Sequence, residues 1–146
     1  MSNWKAHEII NLSNNCDPNF KLLKIIESKI NVLLDIRQYN KGKVTKNGIT
    51  LPAPEANWVT SCINSNKTRA TLEHGLRKLI YERKPTINIQ VIRADGSERS
   101  VALNSDEEIQ LKNNINSIIT SLNNFAQKLN QKTCFSNYEY VKETIM

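Results

Sequence analysis

The sequence predicts an α+β fold of two four-strand-plus-helix (ββββα) units in tandem, and three observations predict it. Several short runs alternate apolar with polar residues, the period of strands that bury one face. A long run of apolar residues at three- and four-residue spacing near the end has the period of an amphipathic helix. The order of elements, strands then helix, occurs twice along the chain. The expected organisation is a first unit over 1–67, a second over 68–130 and a tail over 131–146.

In the first half, His7–Leu12 is a weak candidate for a leading strand. Phe20–Glu27 (FKLLKIIE) is richer in branched apolar residues, and Lys29–Tyr39 (KINVLLDIRQY) follows almost at once. There Val32, Leu34 and Ile36 alternate with Leu33, Asp35 and Arg37. Asn40-Lys41-Gly42 supplies a turn, and Lys43–Leu51 (KVTKNGITL) reads as the next strand. Pro52 and Pro54 stop extended pairing. Glu55–Asn64 then forms a short helix with Trp58, Val59, Cys62 and Ile63 on one side.

The second half repeats the order. Arg69–Gly75 is its weak leading strand, and Leu76–Arg83 (LRKLIYER) is a basic one broken by Lys84-Pro85. Thr86–Arg93 alternates through Ile87, Ile89 and Val91. An Asp95-Gly96 turn leads to Glu98–Leu103. Ser105 and Glu108 have the spacing of a capping box. Behind them Leu111, Ile115, Ile118, Leu122, Phe125 and Leu129 form the stripe of the long helix.

Composition narrows the function classes. The chain has 146 residues with 39% apolar and 23% charged, which suits a folded domain. No apolar run is long enough to span a bilayer, and the first ten residues lack the apolar core of a secretory signal. No membrane partner is expected. Cys16, Cys62 and Cys134 are scattered, and His7 and His74 lie far apart. A reducing intracellular compartment, nucleus or cytoplasm, is expected, with no metal and no cofactor. No phosphate loop, GxSxG, HExxH or GxGxxG motif occurs, so an enzyme is not expected.

Charge points to a partner. The 20 Lys and Arg outnumber the 14 Asp and Glu, for a net charge of +6. Residues 68–103 hold seven basic side chains against four acidic ones, and Asp106, Glu107 and Glu108 sit at the start of the long helix. Basic charge is therefore concentrated in the strand segments, where it could track a phosphate backbone. A merely solvated basic surface is the alternative. Bases splayed from such a backbone need aromatic faces. Tyr39, Tyr81, Phe20 and Trp4 are the candidates, and a packed strand tyrosine is the competing role for Tyr39. Trp58 suits core or interface packing, Asp35 a structural pairing with Arg37, and Lys43 and Lys46 a guard against edge-strand aggregation.

The run LLDIRQY, then a short turn, a lysine-bearing strand ending KNGITL and a helix with Trp58, resembles the positive cofactor four family. Its members are transcription coactivators that bind single-stranded DNA. Asp35, Ile36, Arg37 and Tyr39 match the family motif, with Gln38 in place of an acid. Lys43, Lys46, Gly48, Ile49 and Leu51 match its strand. The match covers about Phe20 to Ile63. The chain departs where the family has stacking aromatics: Asn40 follows Tyr39, and Ser28 or a neighbour falls at the preceding turn.

The resemblance implies a curved four-stranded antiparallel sheet closed by a helix, paired through helices, with the two sheets side by side as the nucleic-acid surface. With both halves in one chain, the expected state is an internal pseudo-dimer, or a homodimer of the double unit. It further implies a single-stranded DNA partner, or RNA or unwound duplex, and work with the transcription machinery. The expected groove is bordered by Lys24, Lys29, Arg37, Tyr39, Lys43 and Lys46 from the first half. Arg77, Lys78, Tyr81, Arg83, Lys84, Arg93 and Arg99 complete it from the second. A protein–protein adaptor that docks a partner through the long helix and the aromatic tail, Phe135–Val141, is the other reading.

Overall fold

The computed structural model describes residues 5–13 and 18–132, with side chains as far as Leu129. Trp4, Cys16, Cys134 and the aromatic tail lie outside them. The first sheet runs in sequence order through β1 (Lys5–Asn11), β2 (Asn19–Glu27), β3 (Val32–Asn40) and β4 (Lys43–Pro52). Helix α1 (Ala53–Asn64) follows. The second sheet repeats this with β5 (Arg69–His74), β6 (Arg77–Arg83), β7 (Ile87–Ile92) and β8 (Glu98–Ala102), and α2 (Ser105–Lys132) closes it. Every neighbouring pair is antiparallel. The α+β architecture of two ββββα units is the one the alternating runs predict.

Alternation decides what each sheet buries. In β3, Val32, Leu34 and Ile36 turn to the core, opposite Ile25 and Leu23 of β2 and Leu51 and Ile49 of β4. In the second sheet Leu79, Tyr81, Ile89, Val91 and Val101 do the same. These residues join the apolar stripe of α2 in one core cluster. Leu111, Ile115, Ile118 and Leu122 are fully buried, each removing apolar surface worth roughly 1.5–3 kcal/mol. Tertiary packing of that face, rather than helix propensity, holds α2. Trp58 is half-buried against the same core.

Two boundaries differ from the sequence reading. Pro52 and Pro54 open α1 as well as ending β4: Pro52 is its N-cap and Pro54 stands in its first turn, where a missing N–H costs nothing. The capping box of α2 sits one residue earlier than Ser105 and Glu108. Asn104 Oδ1 accepts from the Glu107 N–H at 2.8 Å, and Glu107 Oε1 accepts from the Asn104 N–H at 2.9 Å. Asn caps as well as Ser does, and the shift frees Glu108. Its carboxylate instead accepts from Arg83 and from the Ile87 N–H, and pairs with Lys112.

The units interlock. Helix α2 packs on β2 and β3 of the first sheet. Glu107 accepts from Lys21 at 3.0 Å and from the Ser13 hydroxyl at 2.8 Å, and His7 stacks on Phe125 with ring centroids 4.4 Å apart. Asn57 bonds Asn123 and Asn64 bonds Asn116. The contacts step seven residues along each helix in opposite senses, so α1 and α2 run antiparallel. In the other direction Glu55 of α1 reaches the second sheet: its carboxylate accepts from Arg77 Nε and Nη2 and bonds His74 Nδ1, all within 2.9 Å. β8 lies against β4.

Gly48 is required where β4 crosses β3. A Cβ there would lie 2.6 Å from the Ile36 carbonyl oxygen and 2.8 Å from the Arg37 Cα, both backbone atoms that cannot give way cheaply. Gly48→Ala should therefore cost about 1–3 kcal/mol in urea unfolding.

Glu108 gives the fold a pH signature. Burial pushes its carboxyl pKa up, but the hydrogen bonds and charges of Arg83 and Lys112 outweigh this, and the net shift is downward. Its folded value thus lies below its unfolded one of about 4.3. The stability it contributes is complete above that pH and is lost as pH falls through the folded value. Glu108→Gln should cost on the order of 1–3 kcal/mol at pH 7. Chemical unfolding as a function of pH should also show a shallower acid limb than wild type.

Candidate nucleic-acid interface

The face of the first sheet turned away from the helices carries the residues that follow one another in cross-strand register. Phe20 lies opposite Tyr39, Leu22 opposite Arg37, Lys24 opposite Asp35 and Ile26 opposite Leu33. On β4, Val44, Gly48 and Thr50 continue the rows. The Phe20 and Tyr39 rings are parallel within 7°, centroids 5.5 Å apart. Lys24 Nζ donates to the Tyr39 hydroxyl at 2.7 Å and lies 5.3 Å from its ring centroid. A shallow open depression of about 400 Å³ runs along this face, lined by Lys24, Ile26, Leu33, Arg37, Tyr39 and Val44 among others.

Arg37 is held in place. Its Nη2 donates to Asp35 Oδ1 and to the Thr50 hydroxyl, each at 3.2 Å, and Nη1 donates to the Thr45 carbonyl at 3.1 Å. Thr50 in turn donates to Asp35 at 2.9 Å. Asp35 is nearly sealed from solvent, and three neighbouring groups fix the guanidinium on this face. The structural pairing of Asp35 with Arg37 is present. Lys46 is exposed in the bulge between Val44 and Gly48. Lys43 is exposed too, but it is the strand neighbour of outward Val44 and so takes the alternate face. Lys29 is exposed beside the Ser28–Asn31 turn.

Of the second-half residues, Arg77, Arg93 and Arg99 meet Arg37 at the seam between the sheets, while Tyr81, Lys78, Arg83 and Lys84 lie away from the first sheet's outward face. Tyr81 is a core residue at 0% exposure, on mid-strand β6 rather than at a turn. It cannot stack on a base. Burial pushes its phenol pKa up, and among the described residues its hydroxyl has no hydrogen-bond partner. Arg77 and Arg83 share its strand face and end in Glu55 and Glu108. Lys78, the next residue after Arg77, is on the opposite face, and Lys84 is exposed past the strand end. The period of two separates neighbours that a charge count lumps together.

The outward faces of the sheets are chemically unlike. On β2 to β4 of the first, Lys24, Arg37 and Lys46 face one carboxylate, Asp35. On the second, the outward rows contain Arg69 and Lys78 against Glu73, Glu82 and Glu98, with Arg69 already paired to Glu82 at 2.8 Å. Only the first sheet offers rings, apolar rows and cations together. Arg93 and Arg99 lie elsewhere, at the junction where β8 meets β4, with Arg37 and Arg77.

Glu55 and His74 are the site residues that sequence reasoning missed. Glu55 was in view as the first residue of a short helix, and nothing local marks it as buried. Among the described residues no group of three or more His, Cys, Asp and Glu could hold a metal, and no helix is long and apolar enough to cross a membrane. Burial pushes the Cys62 thiol pKa up, which keeps it protonated and unreactive.

No family model matches the chain, and no curated protein matches it. The resemblance to positive cofactor four therefore rests on the residues from Phe20 to Ile63. Two solved structures follow a similar chain path. One is that of Trypanosoma brucei MRP1/MRP2, at 15% identity and a TM-score of 0.48, spanning 83% of this chain and 87% of that one. The other is a guide-RNA-binding protein complex bound to a guide RNA, at 14% identity and 0.48, spanning 81% and 93%. At such identity and TM-score neither lends this chain a ligand or a residue role.

Removing the stranded hydroxyl should help the core. Tyr81→Phe should leave stability unchanged or raise it by about 1 kcal/mol, whereas Tyr81→Ala should cost about 3–5 kcal/mol, both read by denaturant unfolding.

Proposed function

We propose that the chain is a non-enzymatic single-stranded nucleic-acid-binding protein that uses the outward face of its first sheet. The observation that carries this reading is the parallel Phe20–Tyr39 ring pair on the same face as Leu22, Ile26 and Leu33, with Lys24 and Arg37 beside it and Lys46 exposed in the bulge of β4. Bases stack on the rings and apolar rows while the cations meet the phosphates. A duplex hides its base faces and suits this surface poorly. The antiparallel pairing of α1 and α2 inside one chain supports binding by a monomer. Single-stranded DNA and a role in transcription are what the positive cofactor four motif adds to the reading.

Fluorescence anisotropy with single-stranded DNA, single-stranded RNA and duplex DNA of equal length, at several salt concentrations, tests it. Single strands should bind more tightly than duplex, and preference between the two single strands assigns the natural partner. Contact with about four phosphates gives a log–log salt slope near −3. Lys24→Ala with Lys46→Ala should flatten it by about 1–1.5. Phe20→Ala should cost about 1–3 kcal/mol of affinity with the slope unchanged, because stacking releases no counterions. Equal affinity for duplex, or indifference to Phe20→Ala, would overturn the proposal.

A further inference from the structure

Four guanidinium side chains from distant parts of the sequence converge where the first sheet's outward face meets the second sheet. Arg37, Gly48 and Thr50 line one side of a recess of about 100 Å³, and Arg77, Val91, Arg93 and Arg99 line the other. That volume suits a few waters or one small oxyanion, at about 30 Å³ per water, and is too small for a nucleoside. Gly48 leaves its floor bare, since no side chain can stand there.

The recess is electropositive after its own ion pairs are counted. Asp35 answers Arg37 and Glu55 answers Arg77, and His74 also shares Glu55. Arg93 donates Nε to the Ser97 hydroxyl at 2.8 Å, and Arg99 donates Nη1 to the Glu98 carbonyl at 2.9 Å. Neither has a carboxylate within ion-pair distance among the described residues. Asp95 feels the charge of Arg93 and offsets part of it, while its carboxylate also accepts from the Ser97 hydroxyl and N–H. Arg99 thus stands unneutralised, and Arg93 is only partly offset by Asp95, beside two fixed guanidinium groups. Among the described residues all four retain N–H donors without an acceptor, because a guanidinium has five and the bonds above use one to three.

We propose that this inter-sheet recess is a phosphate-binding site, with Arg93 and Arg99 as the ligand-gripping residues and Arg37 and Arg77 as fixed supports. Forked N–H donors match the oxygens of a phosphate group, and a sheltered setting strengthens each bond. Arg37 and Thr50 line both the recess and the open depression on the first sheet, so the two are contiguous. A strand lying on that sheet can place one phosphate in the recess. The proposal takes only this source of phosphate from the strand-binding reading; the recess itself stands on the four arginines. The phosphate is either an internal phosphodiester or a terminal monoester.

The test titrates inorganic phosphate into the 15N-labelled full chain at constant ionic strength, watching the Gly48 amide and the arginine Nε–H signals by NMR. Saturable shifts at Gly48 and Arg93 are expected, and Arg93→Ala with Arg99→Ala should weaken them at least about tenfold, as for one lost charge-assisted hydrogen bond. Shifts that do not saturate, or that persist unchanged in the double variant, would overturn the site. The wild-type titration decides the matter even if the variant does not fold. A second arm compares a single-stranded oligonucleotide with and without a 5′-phosphate. A loss in the double variant for both assigns the internal phosphodiester, and a loss confined to the phosphorylated strand assigns the terminal monoester. Unchanged affinity for both strands, alongside weakening by Phe20→Ala, overturns the recess as part of the strand site while leaving the sheet-face reading intact. Phosphate shifts without any oligonucleotide binding would sink that reading and keep the recess.

Discussion

A carboxylate with no exposure to solvent, Glu55 in the first turn of α1, ties the first unit to the second sheet. Leaving such a charge buried and unpaired would cost several kcal/mol. It is instead met by Arg77 through two nitrogens and by His74 through a third. Arg77 also donates to the Thr50 carbonyl on β4, so one guanidinium spans α1, β4 and β6. These bonds hold α1, β4 and β6 together across the seam where the sheets meet. The α1–α2 packing, the β4–β8 approach and the recess beside Arg37 all lie around it.

From that constraint follows an internal pseudo-dimer whose halves share topology and differ in surface. Both sheets bury alternate residues against the helices. Outward, the first sheet shows rings, aliphatic side chains and cations, and the second mixes Glu73, Glu82 and Glu98 with Arg69, Lys78 and amides, without a ring. A homodimer would repeat one surface twice. A single chain is free to keep one face for a ligand and let the other serve only solubility. Carboxylates outnumber cations on the second sheet's outward rows, so the proposed polyanion would favour the first sheet's face.

The seam between the halves contributes what neither sheet could alone. Arg37, Arg77 and Arg99 stand on strands and Arg93 directly follows β7, and the four line one recess where β8 lies against β4. Arg37 and Arg77 are neutralised by buried acids and so belong to the scaffold. Arg99 has no such partner among the described residues and Arg93 only the exposed Asp95, which leaves the surplus charge that the proposed phosphate site would use.

The sequence by itself determined the elements and their inner faces. Period-two alternation located β3 and β7, the stripe from Leu111 to Leu129 located α2, and the motif around Asp35 and Arg37 named a pairing that the fold contains. Local chemistry misled by one residue at the α2 cap, where Asn104 and Glu107 were an equally good box. What only the tertiary structure decided is which side of a strand meets which neighbour. A count of basic residues joined Arg77 to Lys78 and offered Tyr81 as a stacking ring. The sheet sends Arg77 and Tyr81 inward with the core and Lys78 outward, because adjacent residues on a strand point to opposite faces. The burial of Glu55 and the meeting of Arg37 with Arg93 and Arg99 had no local signal at all. Both depend on contacts between residues far apart in sequence, and such contacts exist only once two sheets and two helices have packed around one core.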